Sequence, residues 1–245
     1  MPRLDLLVID EAHHAVAASY RRIIDHVRAA NPDARIFGVT ATPNRGDKKG
    51  LREVFDNVAD QVRLGELIAS GHLVPPRTFV IDVGVQDKLR TVRKTLADFD
   101  MGEVASIMDR APVTDEVIRH WKEKAGDRQT VIFCSTVAHA EHVTEAFRAA
   151  GITAALIHGD LAADTRKAIL ADYAAGNTRV IVNVAVLTEG WDHPPTSCVV
   201  LLRPSSYKST MIQMVGRGLR IVDPEEHTGI LKTDCVVLEI GRAHV

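Results

Sequence analysis

The sequence predicts a parallel α/β fold in which sheets are flanked by helices, and three observations carry that prediction. Short runs rich in Val and Ile alternate along the chain with segments of helical periodicity. The runs are apolar at successive positions, which is typical of strands covered on both faces. Hydrophobic residues make up 46% of the 245-residue chain, enough to fill one large or two ordinary domains.

Eight strands are predicted, in the order LDLLVID, RIFGVTAT, RTFVIDV, TVIFCST, TAALIHG, RVIVNV, SCVVLL and TDCVVLEI. Helical periodicity covers residues 16–30, 114–125, 137–150 and 164–175, and a further helix starts near Ser206. Pro75-Pro76, after Gly71, is the predicted hinge. We therefore expect a part-domain over residues 1–73 and a complete domain over residues 74–245.

Composition narrows the class of protein. Thirty basic and 32 acidic residues give a formal charge of −2, so a nucleic-acid partner would have to be held by local contacts. No apolar stretch approaches a membrane span and the start lacks a secretory pattern, which predicts a cytoplasmic protein without a membrane partner. The three cysteines are far apart with no CxxC pair, so we interpret them as core residues and not zinc ligands.

The stretch LDLLVIDEAHH places Asp10, Glu11 and His13 at the end of the first predicted strand. Ligands of parallel α/β sheets bind outside the carboxyl ends of strands. One carboxylate there can hold Mg²⁺ beside a nucleotide, and its neighbour can orient or deprotonate an attacking water. An acidic helix N-terminus, favoured by the helix dipole alone, is an equally weighted alternative for this stretch.

The next predicted strand ends in Thr40-Ala41-Thr42. In a parallel sheet its hydroxyls would lie beside the first strand end, where they could hydrogen-bond the acids or His13. The simpler alternative is an ordinary strand end.

A predicted helix carries QMVGRGLR, whose spacing puts three polar side chains on one stripe: Gln213, Arg217 and Arg220. Two permanently charged guanidinium groups suit a phosphate that gains charge in a transition state. Met211 and Val215 form a second stripe that can face a core. Gly216 and Gly218 each cost about 1 kcal/mol in a helix, which favours a close backbone approach over a merely solvated basic face.

A fourth segment, NVAVLTEGWDHPP, leaves a buried strand and presents Gly190 and Asp192 before two prolines. A glycine lets backbone approach a phosphate, and an aspartate can accept from a ribose hydroxyl. An ordinary Gly-Asp turn is the alternative.

Together these segments resemble motifs II to VI of the superfamily 2 DEAD/DEAH-box helicases. The matching elements are, in order, Asp10-Glu11-Ala12-His13, Thr40-Ala41-Thr42, the strand end at 131–136, Thr188-Glu189-Gly190-Trp191-Asp192 and residues 213–220. His158-Gly159-Asp160 looks like the His-Gly element that these proteins carry between motifs IV and V. The details look closest to RadD-like helicases and to the motor subunits of restriction enzymes.

The resemblance implies two P-loop NTPase domains of RecA-like fold with ATP and Mg²⁺ between them: the remainder of the first over residues 1–73, and the second over residues 74–245. Asp10 would hold Mg²⁺ and Glu11 would activate the hydrolytic water. His13 would couple the nucleotide site to the second domain, and Thr40 and Thr42 would relay its state.

From the second domain, Arg217 and Arg220 would act as arginine fingers, an effect worth on the order of 10³-fold or more. Gln213 would contact the γ-phosphate or its water, and Gly190 and Asp192 would contact the nucleotide.

The implied partner is nucleic acid, DNA in preference to RNA, gripped mainly through its phosphates. Ser135 and Thr136 are candidate phosphate contacts, although strand-end hydroxyls are common structural residues. Trp121 and Trp191 are interpreted as packing residues, and His139 and His142 as a solvated helix face.

The sequence contains no G-x-x-x-x-G-K-[ST] loop. In the family that loop precedes the D-E-A-H stretch by far more than nine residues, so we expect a fragment that lacks the N-terminal Walker A half-domain and hydrolyses ATP poorly by itself. Residues 240–245, IGRAHV, match the translation of a widely used sequencing adapter, and we hypothesise that the native sequence diverges near Ile240.

The expected function is that of an ATP-dependent helicase or translocase. A restriction-enzyme motor that pumps DNA without unwinding it, and a non-catalytic nucleic-acid-binding module, remain alternatives.

Overall fold

A computed structural model describes residues 3–43, 50–95, 98–205 and 208–240. Contacts divide the chain into two units, Met1–Arg63 with Tyr207–Gln213, and Leu64–Ser206 with Met214–Val245. The division at Leu64 falls shortly before the boundary expected at residue 73. The domain limits 1–73 and 74–245 stay a prediction. Residues 44–49, which follow the Thr40-Ala41-Thr42 strand end, and the tail at 241–245 lie outside the described residues.

The first unit contains a parallel pair of strands with one helix between them in sequence: β1 (Leu6–Ile9), α1 (Ala18–Ala30) and β2 (Arg35–Gly38). A single 3-10 turn, Ala12–His14, follows β1. The small core consists of Ile9, Ala12, Ala15, Ile24 and Val54.

This pair is parallel and apolar as predicted, but the expectation that both of its faces are covered is wrong for the described residues. Leu6 and Val8 are 53% and 56% exposed, and Phe37 on β2 is 47% exposed. The physical reason is that Ile24 of α1 packs with Ile9 on one face, and no described element of this unit packs over the other.

The second unit holds a six-stranded, wholly parallel sheet: β3 (Pro76–Ile81), β4 (Thr130–Phe133), β5 (Ala154–Ile157), β6 (Val180–Asn183), β7 (Cys198–Leu201) and β8 (Cys235–Ile240). Its strand order is β3-β8-β7-β4-β6-β5. Every position of β4, β6 and β7 is buried, which confirms the prediction of strands covered on both faces here. All eight predicted strands are present.

Seven helices are described from the start of the second unit onward: α2 (Leu64–Ala69), α3 (Gln86–Arg90), α4 (Met101–Met108), α5 (Ala111–Lys124), α6 (Val137–Ala149), α7 (Ala163–Ala174) and α8 (Lys208–Leu219). Four of them confirm predicted helices, namely α5, α6, α7 and α8. The short helices α2, α3 and α4 had not been predicted. Local chemistry fixes the starts: Thr136 caps α6 by accepting from the His139 N–H at 3.2 Å, and the Asp100 carboxylate caps α4.

The core of the second unit settles several minor predictions. Trp121 packs edge-on against Phe147, and its indole N–H donates to the Thr130 hydroxyl at 2.8 Å, which confirms its packing role. The three cysteines are buried as expected, and burial raises their pKa, that of Cys235 to about 12.

The interpretation of His139 as a solvated side chain is wrong. It is 1% exposed on the inner face of α6, and burial lowers its pKa to about 4. His142, one turn later, is exposed and contacts the Asp109 carboxylate at 2.9 Å, which raises its pKa. Within the described residues, no helix is both long and apolar enough to cross a membrane.

Candidate functional site

The end of β1 is a tight and conformationally unusual turn. Glu11 adopts a left-handed backbone conformation, with φ 47° and ψ 50°, and its N–H donates to Asp10 Oδ1 at 2.8 Å. The Ala12 N–H donates to the Val39 carbonyl at 2.9 Å, so the turn is also tied to the chain leaving β2. A non-glycine residue held at positive φ costs roughly 1 kcal/mol or more, and such residues cluster at functional sites.

The imidazole of His13 contacts three of the predicted site residues of the first unit, Glu11, Thr40 and Thr42. Its Nδ1 lies 3.1 Å from Thr40 Oγ1, 3.5 Å from Thr42 Oγ1 and 3.2 Å from a Glu11 carboxylate oxygen. The Thr42 N–H also donates to Thr40 Oγ1 at 3.1 Å. The ends of the two strands therefore meet at one imidazole, which is the arrangement expected of adjacent parallel strands.

The donor chemistry of this turn fits a hard divalent cation. Asp10 is exposed at the strand end and offers carboxylate oxygens, the ligands that Mg²⁺ prefers. Because Mg²⁺ retains several waters, one carboxylate is enough to hold it beside phosphate oxygens. The carboxylate of Glu11 adjoins this position and is oriented by its contact with His13.

In the second unit, residues 188–196 form a loop after β6, which we call the 188–196 loop. Asn183, the last residue of β6, anchors its approach: the side-chain amide donates to the Ile132 carbonyl at 2.9 Å and accepts from the Leu187 N–H at 3.3 Å. Gly190 has φ +70°, and a Cβ added there would meet nothing within 4 Å. The glycine is therefore required by the backbone conformation and not by crowding.

The two predicted arginine fingers both bind the 188–196 loop. Arg217 donates from Nε to the Thr188 carbonyl at 3.0 Å and from Nη1 to the Trp191 carbonyl at 2.6 Å. Arg220 forms an ion pair with the carboxylate of Asp192. The candidate nucleotide contacts of the second unit, Asp192 and the arginines, are thus one connected group.

Two details of the predicted helix are wrong. Helix α8 ends at Leu219, and Arg220 lies beyond it in a bridge with Leu73, so Gln213, Arg217 and Arg220 do not share one helical stripe. The buried stripe is also different from the one predicted: Met214 and Leu219 are 1% and 2% exposed, whereas Met211 and Val215 are only partly buried. Gln213 is 9% exposed and lies one turn before Arg217 on α8.

A close backbone approach was predicted for both glycines of α8, and it occurs at one of them. A Cβ on Gly218 would lie 2.5 Å from Cys235 Sγ and 2.7 Å from Val199 Cγ2, whereas a Cβ on Gly216 would meet nothing within 4 Å. Gly218 therefore brings the helix down onto β7 and β8. The close partner of Gly218 is the sheet.

The candidate nucleic-acid contacts make internal hydrogen bonds. Ser135 is buried and its hydroxyl donates to the Leu202 carbonyl at 3.4 Å, while Thr136 caps α6. The His158-Gly159-Asp160 turn is braced by Arg166, whose guanidinium donates to the Gly159 carbonyl at 3.1 Å.

Sequence reasoning missed Asn183 and Arg166. A polar residue that ends an otherwise apolar strand, RVIVNV, was the available signal for Asn183.

A parallel pair of strands with acids at one strand end, and a second unit whose wholly parallel sheet is flanked by helices, have the architecture of RecA-like domains. Family comparison agrees. The Type III restriction enzyme, res subunit family matches residues 2–45, and the Helicase conserved C-terminal domain family matches residues 111–222. The chain belongs to the superfamily 2 helicases.

Among curated proteins, the chain is 31% identical over 233 residues to a protein of Saccharomyces cerevisiae that carries the name "Putative ATP-dependent helicase IRC3". That match covers 93% of this chain and 34% of the relative. The chain spans little more than a third of the length of the curated relatives it matches.

Solved structures show the same fold at low identity. A fragment of an HsdR subunit of a type I restriction enzyme from Vibrio vulnificus has a TM-score of 0.71 at 22% identity, over 98% of this chain and 44% of that one. The Type ISP restriction-modification enzyme LlaBIII bound to DNA has a TM-score of 0.61 at 18% identity, covering 98% and 18%. Dbp5 of S. cerevisiae bound to RNA has a TM-score of 0.59 at 17% identity, covering 96% and 53%.

Proposed function

We propose that the chain contributes motifs II to VI to an ATP-dependent helicase or translocase that moves along nucleic acid. The observation that carries this proposal is the convergence of Glu11, Thr40 and Thr42 on His13. An acidic helix N-terminus would require none of these contacts, because its stabilisation comes from the helix dipole alone. A group of this kind links a water-activating carboxylate to the next strand end, as a motor that senses its nucleotide requires.

In the first unit, we assign Asp10 to Mg²⁺ and Glu11 to the attacking water. Asp10 would hold the ion, which would supply positive charge beside the phosphates. Glu11 then acts as general base or orienting group, because its carboxylate is fixed against His13. Thr40 and Thr42 transmit the position of His13 to the segment that leaves β2.

Arg217 and Arg220 of the second unit supply positive charge for the phosphates. Gln213, on the part of α8 that belongs to the first unit, contacts the γ-phosphate or its water. Asp192 and Gly190 contact the nucleotide. Since Arg217 binds two carbonyls of the 188–196 loop and Arg220 binds Asp192, a movement of α8 is transmitted to that loop. This coupling is how hydrolysis would be linked to movement along a strand.

We propose DNA in preference to RNA as the track. The restriction-enzyme motors among the solved neighbours support this preference, one of them bound to DNA, and the RNA-bound neighbour with the same fold is the competing case. Ser135 and Thr136 remain proposed phosphate contacts. We also propose a cytoplasmic location, for which three buried thiols without a pairing motif are the support.

The proposal is tested by hydrolysis of ATP in the presence and absence of single-stranded DNA. We expect the 245-residue chain to hydrolyse ATP poorly, and a product extended by its upstream reading frame to carry an in-frame Gly-Lys-Thr or Gly-Lys-Ser loop and to be active. In that product Glu11→Gln should lower the hydrolysis rate by about 10²-fold or more. The exposed Glu145→Gln on α6 is the matched control and should leave the rate unchanged.

Arg217→Ala should lower the rate of the extended product by about 10³-fold. An unchanged rate would refute the assignment of Arg217. If DNA binds but neither product hydrolyses ATP, the chain is a non-catalytic binding module. A motor of the restriction type would displace a triplex-forming strand from duplex DNA without separating the duplex, and a helicase would separate it.

A further inference from the structure

The 188–196 loop is held from two sides, and only one side belongs to the motifs. Arg217 and Arg220 hold its first part. Its second part is held by Lys232, whose Nζ donates to the Pro194 carbonyl and to the Thr196 carbonyl, both at 2.6 Å. Lys232 lies in the connection between α8 and β8 and matches no motif.

The position of Lys232 is unusual for a lysine. Its neighbour Leu231 is 88% exposed, while the ammonium of Lys232 turns inward to the loop and is partly desolvated, which lowers its pKa to about 8. The carbonyl groups of the second part of the loop have few backbone N–H donors close to them in sequence. Pro194 and Pro195 have no backbone N–H to donate, and the Thr196 N–H donates to the His193 carbonyl at 3.0 Å. The Pro194 and Thr196 carbonyls accept from Lys232, and Thr196 is fully buried.

A chain of hydrogen bonds accompanies the lysine. The His193 ring lies with Nε2 3.1 Å from Gln129 Oε1, and the Gln129 amide donates to the Tyr173 carbonyl at 2.5 Å. The buried Tyr173 hydroxyl is 2.9 Å from Thr196 Oγ1. The stretch that follows Asp192 is therefore fixed to Gln129 just before β4, to α7 and to the connection before β8.

We infer that Lys232 is a positioning residue. By binding the Pro194 and Thr196 carbonyls, it fixes the second part of the 188–196 loop and so limits the movement of Asp192 and of its partner Arg220. The importance of this position of Asp192 for ATP binding rests on the proposed function. The effect of Lys232 on the conformation of the loop does not, because all of the residues involved lie in the second unit. A merely structural lysine would change the stability of the unit as a whole without a selective change in this loop.

Tryptophan fluorescence separates these cases in the 245-residue chain. Of the two tryptophans, Trp121 is 4% exposed in the core, whereas Trp191 lies in the loop with its ring 6.3 Å from that of His193. Collisional quenching by acrylamide therefore reports mainly on Trp191. Lys232→Met should raise the Stern–Volmer constant by about twofold, because local opening becomes more frequent. Lys167→Met, an exposed lysine on α7, is the matched control.

Amide hydrogen exchange gives the second readout. Residues 188–196 should exchange faster in Lys232→Met, while the buried strands β4 and β7 keep the protection of the parent chain. Equal quenching and equal exchange in Lys232→Met and Lys167→Met would overturn the inference, and so would a uniform loss of protection across the unit. If Lys232→Met does not fold by circular dichroism, Lys232→Gln replaces it, with the same two outcomes. Neither readout uses ATP, so a failed hydrolysis experiment leaves this test intact.

Discussion

Replacing Gly218 with alanine tests how closely α8 packs on the sheet. The added Cβ would lie 2.5 Å from Cys235 Sγ and 2.7 Å from Val199 Cγ2, closer than carbon contacts in folded proteins. Relieving such overlap in a packed core costs about 1–3 kcal/mol. Alanine is also about 1 kcal/mol better than glycine within a helix, so the net loss of unfolding free energy is between about zero and 2 kcal/mol.

Gly216→Ala is the internal control because it has the same helix gain and no steric contact within 4 Å. It should raise the unfolding free energy by up to about 1 kcal/mol. The difference between the two variants then isolates the packing cost, about 1–3 kcal/mol. Urea denaturation followed by tryptophan emission is the suitable assay, since Trp121 and Trp191 both lie in the second unit.

The reasoning has two further checks. Adding Cys235→Ala to Gly218→Ala removes the nearest contact atom and should recover part of the loss, in excess of the effect of Cys235→Ala in the parent chain. If Gly218→Ala and Gly216→Ala are equally stable, the helix is not held against β8 as described, and the tight packing at Gly218 is refuted.

Three other substitutions have defined outcomes in the same denaturation assay. Trp121→Phe should lower stability by about 1–3 kcal/mol, because Thr130 loses its buried donor at 2.8 Å, and an unchanged midpoint would show that the bond contributes nothing. Burial lowers the pKa of His139 to about 4 in the folded state, whereas the unfolded chain has the ordinary value of about 6.5. As the pH falls from about 6.5 towards 4, the unfolded state therefore binds a proton that the folded state does not, and the free energy of unfolding decreases. The parent chain should therefore lose about 2 kcal/mol more than His139→Leu between pH 7 and pH 5. Asp98→Ala should cost about 3 kcal/mol, because it leaves the partly buried Arg203 guanidinium without its partner at 2.9 Å. Asp98→Leu combined with Arg203→Met should recover most of that loss.

Strand positions were predictable because the local signal is strong. Eight runs of β-branched residues all became strands, and helices α5 to α7 began and ended within a few residues of their predicted limits. The short helices α2, α3 and α4 were missed because five to eight residues carry too little periodicity to stand out from a loop.

The grouping in the first unit was predictable for a topological reason. Consecutive parallel strands place their carboxyl ends together, so the sequence predicts that Thr40 and Thr42 lie near His13. The roles of these residues in catalysis stay predictions until the substitutions are measured.

What sequence could not supply was the identity of contacts between distant segments. The burial of His139, the purpose of Gly218 and the donation of Arg217 to two loop carbonyls each depend on residues far away in the chain. Helical spacing alone also extended the stripe to Arg220, because it carries no information on where the helix stops.

The position of β8 within the sheet affects how the second unit folds during synthesis. This strand, residues 235–240, inserts between β3 and β7, so it pairs with a strand that begins at Pro76, more than 150 residues earlier. During synthesis β3 stays apart from β7, β4, β6 and β5 until those residues leave the ribosome. Contacts so distant in sequence slow folding and prolong the exposure of apolar edges. Until residues 235–240 are synthesised, β3 and β7 therefore lack the strand that joins them in the sheet.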